Sequence, residues 1–348
     1  MSADKNILCG VRNPIKADID LDAQGKHLGF LRLPNSVHRS AYGWLPLPVA
    51  SIKRGQGPTI VVSAGTHGDE YEGQIIVSNL IRAIEPGMVN GQIILLPMAN
   101  APAAEVGMRT SPLDDGNLNR LYPGDPLGTP SQIIAHYIEH TLLARADYMV
   151  DLHSGGSSLL YQSGNAMGLE PRDVQESERV TALLQAFGMP KSFLYQPNPV
   201  NVTAAARRQN AICFLAELGG GGNVDPALVK MGTQGLLNLL GFIQVLAGPL
   251  LPEGPPAATR LMTIDRDTHY TYAMDAGVYE PLAALGDVVR QGQEVARVHF
   301  PADPGRQSAV VLASGDGEIV CQRAMALVRR GDCIFQLASE RSLPRAGR

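Results

Sequence analysis

Two histidines and one glutamate, divided between two short segments, are of the types that bind a metal ion. His67 and Glu70 lie three residues apart in Gly-Thr-His-Gly-Asp-Glu, after the apolar run 59–62 and before a helix-like segment. His153 ends a second apolar run, 148–152. Open α/β sheets present their ligand-binding residues at strand ends, and both segments fit such a position. Two imidazoles and one carboxylate leave a fourth position for water, which is typical of a catalytic zinc site.

The composition indicates a globular protein with a large core. The chain has 348 residues, of which 45% are hydrophobic, enough for one large domain or two. A net charge of −4, with scattered Lys and Arg, argues against a nucleic-acid partner. The four separated cysteines (Cys9, Cys213, Cys321 and Cys333) indicate neither a disulfide framework nor a thiolate zinc site, and they favour a reducing cytoplasm.

Two further segments bear on location. Residues 1–16 mix charged and polar side chains and do not resemble a signal peptide. The uncharged stretch 231–252 contains Gln234, Asn238 and several glycines, which predicts a helix buried against a sheet rather than a membrane span. We therefore expect a cytoplasmic protein with no membrane partner.

The middle of the chain alternates between strand-like and helix-like segments. Apolar runs predict strands at 59–64, 92–98, 147–152 and 211–217, and the segments between or after them predict helices at 71–84, 130–146, 172–187 and 226–246. This alternation predicts an α/β fold with a mostly parallel sheet covered on both faces. The long polar loop 99–126 has a length that is commonly functional.

A change of composition predicts a domain boundary. Pro and Gly dominate 248–256. We predict a catalytic domain over 1–250, whose first 50 residues look strand-like without a clear place, and a small β domain over 260–338. Glycine-rich segments of the β domain resemble the barrel-sandwich domains that carry biotin or lipoate on a lysine. The last lysine is Lys230, so we expect this domain to be structural or to form a wall of the active site.

Glu217 is the candidate acid–base group. It ends the apolar run 211–216 and is followed by Leu218 and four glycines, a position suited to facing a cleft. A carboxylate there can take a proton from zinc-bound water and pass it to a leaving amine. The alternative is a structural ion pair with Arg207 or Arg208.

The polar loop supplies candidate anion-binding residues. Arg109, Asn119 and Arg120 all lie within it. Arginine matches a carboxylate with two parallel hydrogen bonds, and an arginine near zinc can stabilise the oxyanion of a tetrahedral intermediate. The alternative interpretation is a solvated loop with ordinary surface charges.

A competing zinc motif lies in the predicted helix 130–146. His136, Glu139 and His140 match the His-x-x-Glu-His signature of inverted zinc proteases. Apolar residues such as Ile134 define the opposite, buried side of this helix, so the three polar residues are predicted to face solvent. A solvated helix face is the simpler interpretation.

In their order along the chain, the polar motifs resemble a known enzyme family. Gly-Thr-His-Gly-Asp-Glu, Arg-Thr-Ser-Pro, Asn-Leu-Asn-Arg-Leu-Tyr-Pro-Gly, Asp-Leu-His-Ser and Ala-Glu-Leu-Gly follow one another across about residues 58–247. The set is similar to the succinylglutamate desuccinylase/aspartoacylase family, within the wider group of zinc carboxypeptidases. The added β domain and the overall length look most like the branch that includes the N-acetyl-diaminobutyrate deacetylases of ectoine breakdown.

The resemblance implies a role for each candidate residue. His67, Glu70 and His153 match the ligands of one zinc ion per chain, Glu217 the catalytic glutamate, Arg109 the arginine that polarises the scissile carbonyl, and Asn119 with Arg120 the pair that holds the substrate carboxylate. Relatives often have an aspartate, which can orient a zinc histidine, where this chain has Asn117; Asp115 and Asp151 are the candidates to substitute for it. A substrate-binding tyrosine is left open between Tyr161 and Tyr195.

We therefore expect a zinc-dependent amidohydrolase that removes the acyl group from an N-acyl amino acid or a similar small carboxylate-bearing amide. Its partner is that small-molecule substrate, and the sequence leaves room for a homo-oligomer. Two alternatives stay open: a metallocarboxypeptidase acting on short peptides, and a non-catalytic protein that binds small molecules.

Overall fold

The computed structural model describes residues 7–8, 11–196, 198–265 and 267–341, which leaves Cys9 outside the described residues. The strands are β1 (Ile7–Leu8), β2 (Val11–Arg12), β3 (Lys16–Ala17), β4 (Gly25–Pro34), β5 (Trp44–Arg54), β6 (Thr59–Ala64), β7 (Gly91–Leu96), β8 (Tyr148–His153), β9 (Leu159–Leu169), β10 (Lys191–Tyr195), β11 (Ile212–Gly220), β12 (Arg260–Thr263), β13 (Tyr270–Tyr272), β14 (Gly277–Pro281), β15 (Val288–Val289), β16 (Glu294–His299), β17 (Ala309–Leu312), β18 (Gly317–Arg323), β19 (Leu327–Val328) and β20 (Cys333–Glu340). The α-helices are α1 (Tyr71–Ala83), α2 (Ala101–Ala104), α3 (Pro130–Tyr137), α4 (Val174–Phe187), α5 (Val202–Arg208) and α6 (Pro226–Phe242).

A mixed sheet of 14 strands forms the framework, in the order β15-β18-β20-β12-β10-β9-β11-β8-β6-β7-β5-β4-β3, with β13 paired to β20. At its centre β6 is parallel to both β7 and β8, and β8 is parallel to β11. The carboxyl ends of β6, β8 and β11 therefore point to the same edge of the sheet. That edge is where the candidate site residues are found.

The expectation of a mostly parallel sheet holds for this centre and fails at the flanks. β4 and β5 form an antiparallel hairpin, β5 adds antiparallel to β7, and β18 and β20 are antiparallel as well. Parallel neighbours need a crossover connection such as α1 between β6 and β7, whereas strands joined by short turns pair antiparallel. The first 50 residues, which the sequence left without a place, contribute β4 and most of β5, and these two strands extend the sheet beyond β7.

The predicted helix 130–146 differs most from its expected form. Thr129 and Gln132 form a capping box at its start, as the sequence pattern favours. The α-helix ends at Tyr137, continues as one wider π turn over Ile138–Leu142, and finishes in a 3₁₀ turn over Leu143–Arg145.

The two faces of the central sheet pack into separate hydrophobic cores. Ile60 and Val62 of β6 lie in a cluster with residues of α1, α4 and α6, whereas Val61 of the same strand lies in a cluster with residues of α3 and α5. This alternation follows from the two-residue period of a strand. Leu236, Leu239 and Leu240 of α6 are buried in the first cluster, so the uncharged segment contributes a helix packed on the sheet. Among the described helices, none combines the length and apolar character that crossing a bilayer would need.

The C-terminal strands form a second, smaller layer that joins the central sheet. β17, β16, β14 and β19 make a separate four-stranded sheet around their own core, which includes Val298 and Phe335. β18 pairs with the start of β9, and β12 pairs with β10. The C-terminal β region is therefore hydrogen-bonded to the strand next to β11.

Candidate active site

A tight turn after β6 brings His67 and Glu70 to the edge of the sheet. Gly65 has a φ of +65°, a conformation that side-chain-bearing residues adopt at a cost. Gly68 packs against α2 so closely that a Cβ would lie 2.1 Å from the carbonyl oxygen of Ala103. α1 begins at Tyr71, so Glu70 sits at its positive amino end, where a carboxylate is favoured.

His67, Glu70 and His153 converge as a buried group, each 2–3% exposed. Nδ1 of His67 lies 2.7 Å from Oε1 of Glu70, and Nδ1 of His153 lies 2.8 Å from Oε2 of Glu70. One ligand atom from each of the three residues lies within 4.8 Å of the others, an arrangement that could hold a metal ion. The sequence prediction that these distant residues meet is therefore confirmed.

The remaining nitrogen of each imidazole faces a hydrogen-bond acceptor. Nε2 of His67 donates to Oδ1 of Asn117 at 3.1 Å, and Nε2 of His153 donates to Oδ2 of Asp151 at 2.7 Å. Asp151 is fully buried and also accepts hydrogen bonds from the hydroxyls of Ser63 and Thr66. Such outer contacts fix the ring orientation of metal-binding histidines and leave both Nδ1 atoms for the ligand position.

Neighbouring opposite charges shift the pKa values of Glu70 and His153. Burial alone would raise the pKa of Glu70, but the two flanking imidazoles outweigh it and hold the pKa well below its usual value. Burial would likewise lower the pKa of His153, yet the carboxylates of Asp151 and Glu70 raise it well above the ordinary value. The cluster thus concentrates negative charge that a proton or a cation neutralises.

Glu217 lies one strand away from His153. The two residues are paired in the parallel β8–β11 ladder, so their side chains share a face about 5 Å apart. The Oε2 atom of Glu217 is sealed from solvent and has no hydrogen-bond partner among the described residues. Burial raises the pKa of Glu217 to about 8; His153 opposes the rise and Glu70 adds to it. Such a carboxyl can exchange a proton near neutral pH.

The structural alternative for Glu217 is not realised, because the two arginines proposed for it have other partners. Nη2 of Arg207 lies 3.2 Å from Oε1 of Glu176. Arg208 donates from Nε and Nη2 to the two carboxylate oxygens of Glu139, at 2.8 and 2.7 Å.

The polar loop brings Arg109 and Asn119 to the cluster. Nη1 of Arg109 lies 3.4 Å from Oε1 of Glu70, while 42% of the arginine side chain stays exposed. Nδ2 of Asn119 lies 3.5 Å from Nε2 of His153, and its Oδ1 accepts a hydrogen bond from the backbone of Val202 at 2.9 Å. Arg120 is exposed and donates to the carbonyl of Asn119 at 2.8 Å. The loop therefore provides one guanidinium at the cluster and a second, exposed one beside Asn119.

Two residues of the competing His-x-x-Glu-His motif, His136 and Glu139, are packed inside the protein, which corrects their predicted solvent-facing orientation, whereas His140 is half-buried. His136 and Glu139 are each 1% exposed. Glu139 forms the ion pair with Arg208, and Nδ1 of His136 lies 3.0 Å from Nδ2 of Asn13. In the described part of the chain, the candidate metal group is His67, Glu70 and His153 alone. The covering of α3 by α5 and by N-terminal residues could not be seen in a local pattern.

The two tyrosines that the sequence left open differ in their surroundings. The hydroxyl of Tyr195 lies 2.8 Å from Oγ1 of Thr203. Tyr161 is buried on β9, and burial, followed by the nearby charge of Glu217, raises its pKa well above the ordinary value. Burial also raises the pKa of Tyr195, and the charge of Glu217 contributes to the rise at both tyrosines, so the choice between them stays open.

Comparison with known proteins agrees with this geometry. The sequence model of the succinylglutamate desuccinylase/aspartoacylase catalytic domain matches residues 56–243, a range that contains all seven candidate site residues. The chain belongs to this family. Its members named below include deacetylase, desuccinylase and aspartoacylase, which hydrolyse amides, so the chain is an amide-hydrolysing enzyme.

The similarity of family members to this chain extends beyond the catalytic domain. The N-alpha-acetyl-L-2,4-diaminobutyric acid deacetylase of Halomonas elongata is 36% identical over 330 residues, which cover 94% of this chain and 95% of the relative. A solved succinylglutamate desuccinylase/aspartoacylase from Rhodobacter sphaeroides is 34% identical with a TM-score of 0.88, covering 94% of this chain and all of that one. The product-bound ectoine utilization protein EutE (DoeB) from Ruegeria pomeroyi is 32% identical, also with a TM-score of 0.88, covering 94% of this chain and 99% of that one.

Proposed function

We propose that this enzyme is a zinc-dependent deacylase that hydrolyses the amide bond of an N-acyl amino acid. The main support is the convergence of His67, Glu70 and His153 one strand away from Glu217, whose Oε2 is buried without a partner among the described residues. A ligand set and a free proton carrier side by side are the two parts that hydrolysis of an unactivated amide requires.

The donor set fits one zinc ion per chain. Two neutral imidazoles and one carboxylate, with a fourth position open, suit a catalytic zinc site, and both imidazoles offer Nδ1 because Asn117 and Asp151 hold their Nε2 atoms. When bound, zinc would polarise the amide carbonyl and lower the pKa of a coordinated water to about 7.

Glu217 is the proposed proton carrier. Its carboxylate accepts a proton from the attacking water and returns it to the nitrogen as the carbon–nitrogen bond breaks. The water oxygen then remains with the acyl group as a carboxylic acid, and the amine leaves with the transferred proton. The acid gives up the second water proton to the amine, so the products are a carboxylate and an ammonium. A pKa near the working pH suits both halves of this transfer.

The two loop arginines are assigned to different parts of the substrate. Arg109, beside Glu70, is placed to donate to the carbonyl oxygen as negative charge develops there. Arg120, more exposed, is assigned to the substrate carboxylate, with the Nδ2 group of Asn119 as second donor.

The proposed substrate class follows from the relatives. The Halomonas elongata relative is named for N-alpha-acetyl-L-2,4-diaminobutyric acid, and its similarity covers 94% of this chain. We therefore propose that small N-acetyl amino acids, with N-acetyl-2,4-diaminobutyrate first among them, are the substrates. Residues 1–250 would carry out the reaction, and residues 260–338 would form a β domain that walls the site. A cytoplasmic location and a homo-oligomer stay predictions.

A hydrolysis screen with metal analysis of the same sample tests this proposal. N-acetyl, N-succinyl and N-formyl amino acids would be offered to purified protein of known zinc content, and amine release would be measured. We expect N-acetyl-2,4-diaminobutyrate to be hydrolysed, activity to disappear after chelation, and zinc to restore it. Hydrolysis that survives complete removal of metal, or its absence across the panel in zinc-loaded protein, would contradict the proposal.

A further inference from the structure

Asn165 is a buried polar residue that the proposed reaction has not used. It lies in the middle of β9, is 1% exposed, and neither its Oδ1 nor its Nδ2 has a hydrogen-bond partner within the described residues. A buried amide left unpaired costs about 1–3 kcal/mol, whereas an isosteric leucine would cost nothing of this kind. Unpaired groups of this kind call for a specific explanation.

The strand register places Asn165 beside the acid–base group. Asn165 is paired with Glu217 in the antiparallel β9–β11 ladder, and Glu217 is paired with His153 in the β8–β11 ladder. Directly paired residues point to the same face with Cβ atoms about 4.5–5.5 Å apart. One row across three strands therefore contains His153, Glu217 and Asn165. Glu217 is in the middle, with His153 of the candidate metal group on one side and Asn165 on the other.

The neighbours of Asn165 on β9 support this orientation. Ala166 is part of the core on the opposite face, and a Cβ on Gly164 would meet the sulfur atoms of Met189 and Met231 on that same face. The side chain of Asn165 must then point toward the face of Glu217. Oγ of Ser163, two residues before it on that face, is also buried without a partner within the described ranges.

We propose that Asn165 is a substrate-binding residue whose carboxamide holds the amine that leaves when the amide bond is hydrolysed. This inference rests on the proposed deacylase function. The substrate carbonyl must lie on the side of His153 and Arg109, so the part of the substrate beyond Glu217 is the nitrogen side or the acyl chain. An amine offers N–H donors to Oδ1 of Asn165 and Oγ of Ser163, whereas an acyl methyl group would leave both unpaired. Asn165 exchanges no proton; it orients the nitrogen that Glu217 protonates.

The test compares Asn165→Leu and Asn165→Asp with the wild-type enzyme, using N-acetyl-2,4-diaminobutyrate as substrate and L-2,4-diaminobutyrate and acetate as product inhibitors. We expect Asn165→Leu to bind the amine product about tenfold to a hundredfold more weakly, the effect of losing a hydrogen bond to a charged group, while acetate binding stays unchanged. Asn165→Asp keeps an acceptor at the same place and should restore much of the amine affinity. The thermal midpoint of Asn165→Leu should be equal to that of the wild type or higher.

Met167→Leu is the matched control, because Met167 is two residues further along the same face of β9 and packs in the core. An Asn165→Leu enzyme with wild-type amine affinity and wild-type kcat/KM would overturn the inference and leave a purely structural residue. If Asn165→Leu does not fold, the same inhibition series on Asn165→Asp and Ser163→Ala decides: unchanged amine affinity in both overturns the inference. If the wild type hydrolyses no N-acyl amino acid, the proposed function fails, but Asn165 can still be tested by direct calorimetry with L-2,4-diaminobutyrate. If the wild type does not bind this amine, or if Asn165→Leu binds it equally well, Asn165 is not an amine-binding residue.

Discussion

Replacing Glu217 by glutamine removes the proposed proton carrier while keeping its shape. Among the described residues Oε2 has no hydrogen-bond partner, so an amide in its place breaks no contact. Burial raises the pKa of Glu217 to about 8, so a neutral amide of the same shape is tolerated at this position. We therefore expect the free energy of unfolding of Glu217→Gln to stay within about 1 kcal/mol of the wild type.

Turnover in Glu217→Gln should fall far more than stability. A positioned general acid–base group contributes about 10²–10⁴-fold, and glutamine can neither take a proton from water nor return it. We expect kcat to fall about 10³-fold, equivalent to about 4 kcal/mol of activation free energy, with little change in KM. Zinc content should stay the same, because Glu217 is outside the His67, Glu70 and His153 group.

Glu139→Gln is the matched control, at a glutamate whose two carboxylate oxygens make the hydrogen bonds that Oε2 of Glu217 lacks. Glu139 is 1% exposed and receives two hydrogen bonds from Arg208, whose side chain is 37% exposed. Glutamine would break one of them, so the free energy of unfolding should fall by about 1–2 kcal/mol while kcat stays unchanged. Urea unfolding and steady-state amine release on the same samples measure both quantities. A Glu217→Gln protein that retains full activity, or loses activity only in proportion to lost zinc or lost folded protein, would refute the reasoning.

Arg109→Ala should lower kcat about 10²–10³-fold in the same amine-release assay without changing thermal unfolding. The guanidinium is partly exposed, so it contributes little packing, but it faces Glu70. A loss of stability as large as the loss of kcat would contradict this. Asp151→Asn should weaken zinc binding about 10–100-fold in competition with a chelator, and Asn117→Ala less, because a carboxylate orients an imidazole more strongly than an amide does. The free energy of unfolding should fall by about 1–3 kcal/mol between pH 6.5 and 4. Burial lowers the pKa of His136 to about 4 in the folded protein, so as the pH falls the unfolded chain binds the proton first and is favoured. Urea unfolding across this range should show a smaller loss in His136→Asn, which keeps an acceptor for Asn13; an identical loss would exclude His136 as its source.

The sequence predicted that His67, Glu70 and His153 meet because the signals for each segment are local. Each ligand segment is a short apolar run followed by a polar turn, and runs of that kind become buried strands whose ends present side chains. Glu217 was proposed in the same way, but β11 continues to Gly220, so this residue lies within the strand and not at its end as predicted. The strands β6 and β8 were predicted to within a residue of their observed bounds, since burial on both faces makes their apolar runs continuous.

What the sequence did not reveal depends on contacts between distant segments. His136 and Glu139 looked solvent-facing because α3 shows one clear apolar side, yet Asn13 and Arg208 approach the other side. The antiparallel flanks of the sheet were missed for the same reason, because pairing direction depends on which strands meet. Asn165 carried a signal that could have been used, an amide directly between small residues in the run Ser-Gly-Asn-Ala-Met-Gly.

The position of the reactive groups is determined by the packing of β11 as much as by the groups themselves. Cys213 and Leu215 enter one core while Phe214 and Ala216 enter the other, and this alternation leaves a single register in which both cores are filled. A slip of one residue would send Glu217 to the opposite face, away from both His153 and Asn165. The apolar residues of this strand therefore align the proposed base with the ligand cluster on one side and with the proposed amine subsite on the other. A rigid sheet edge can in this way hold a three-part site whose members are far apart in the chain.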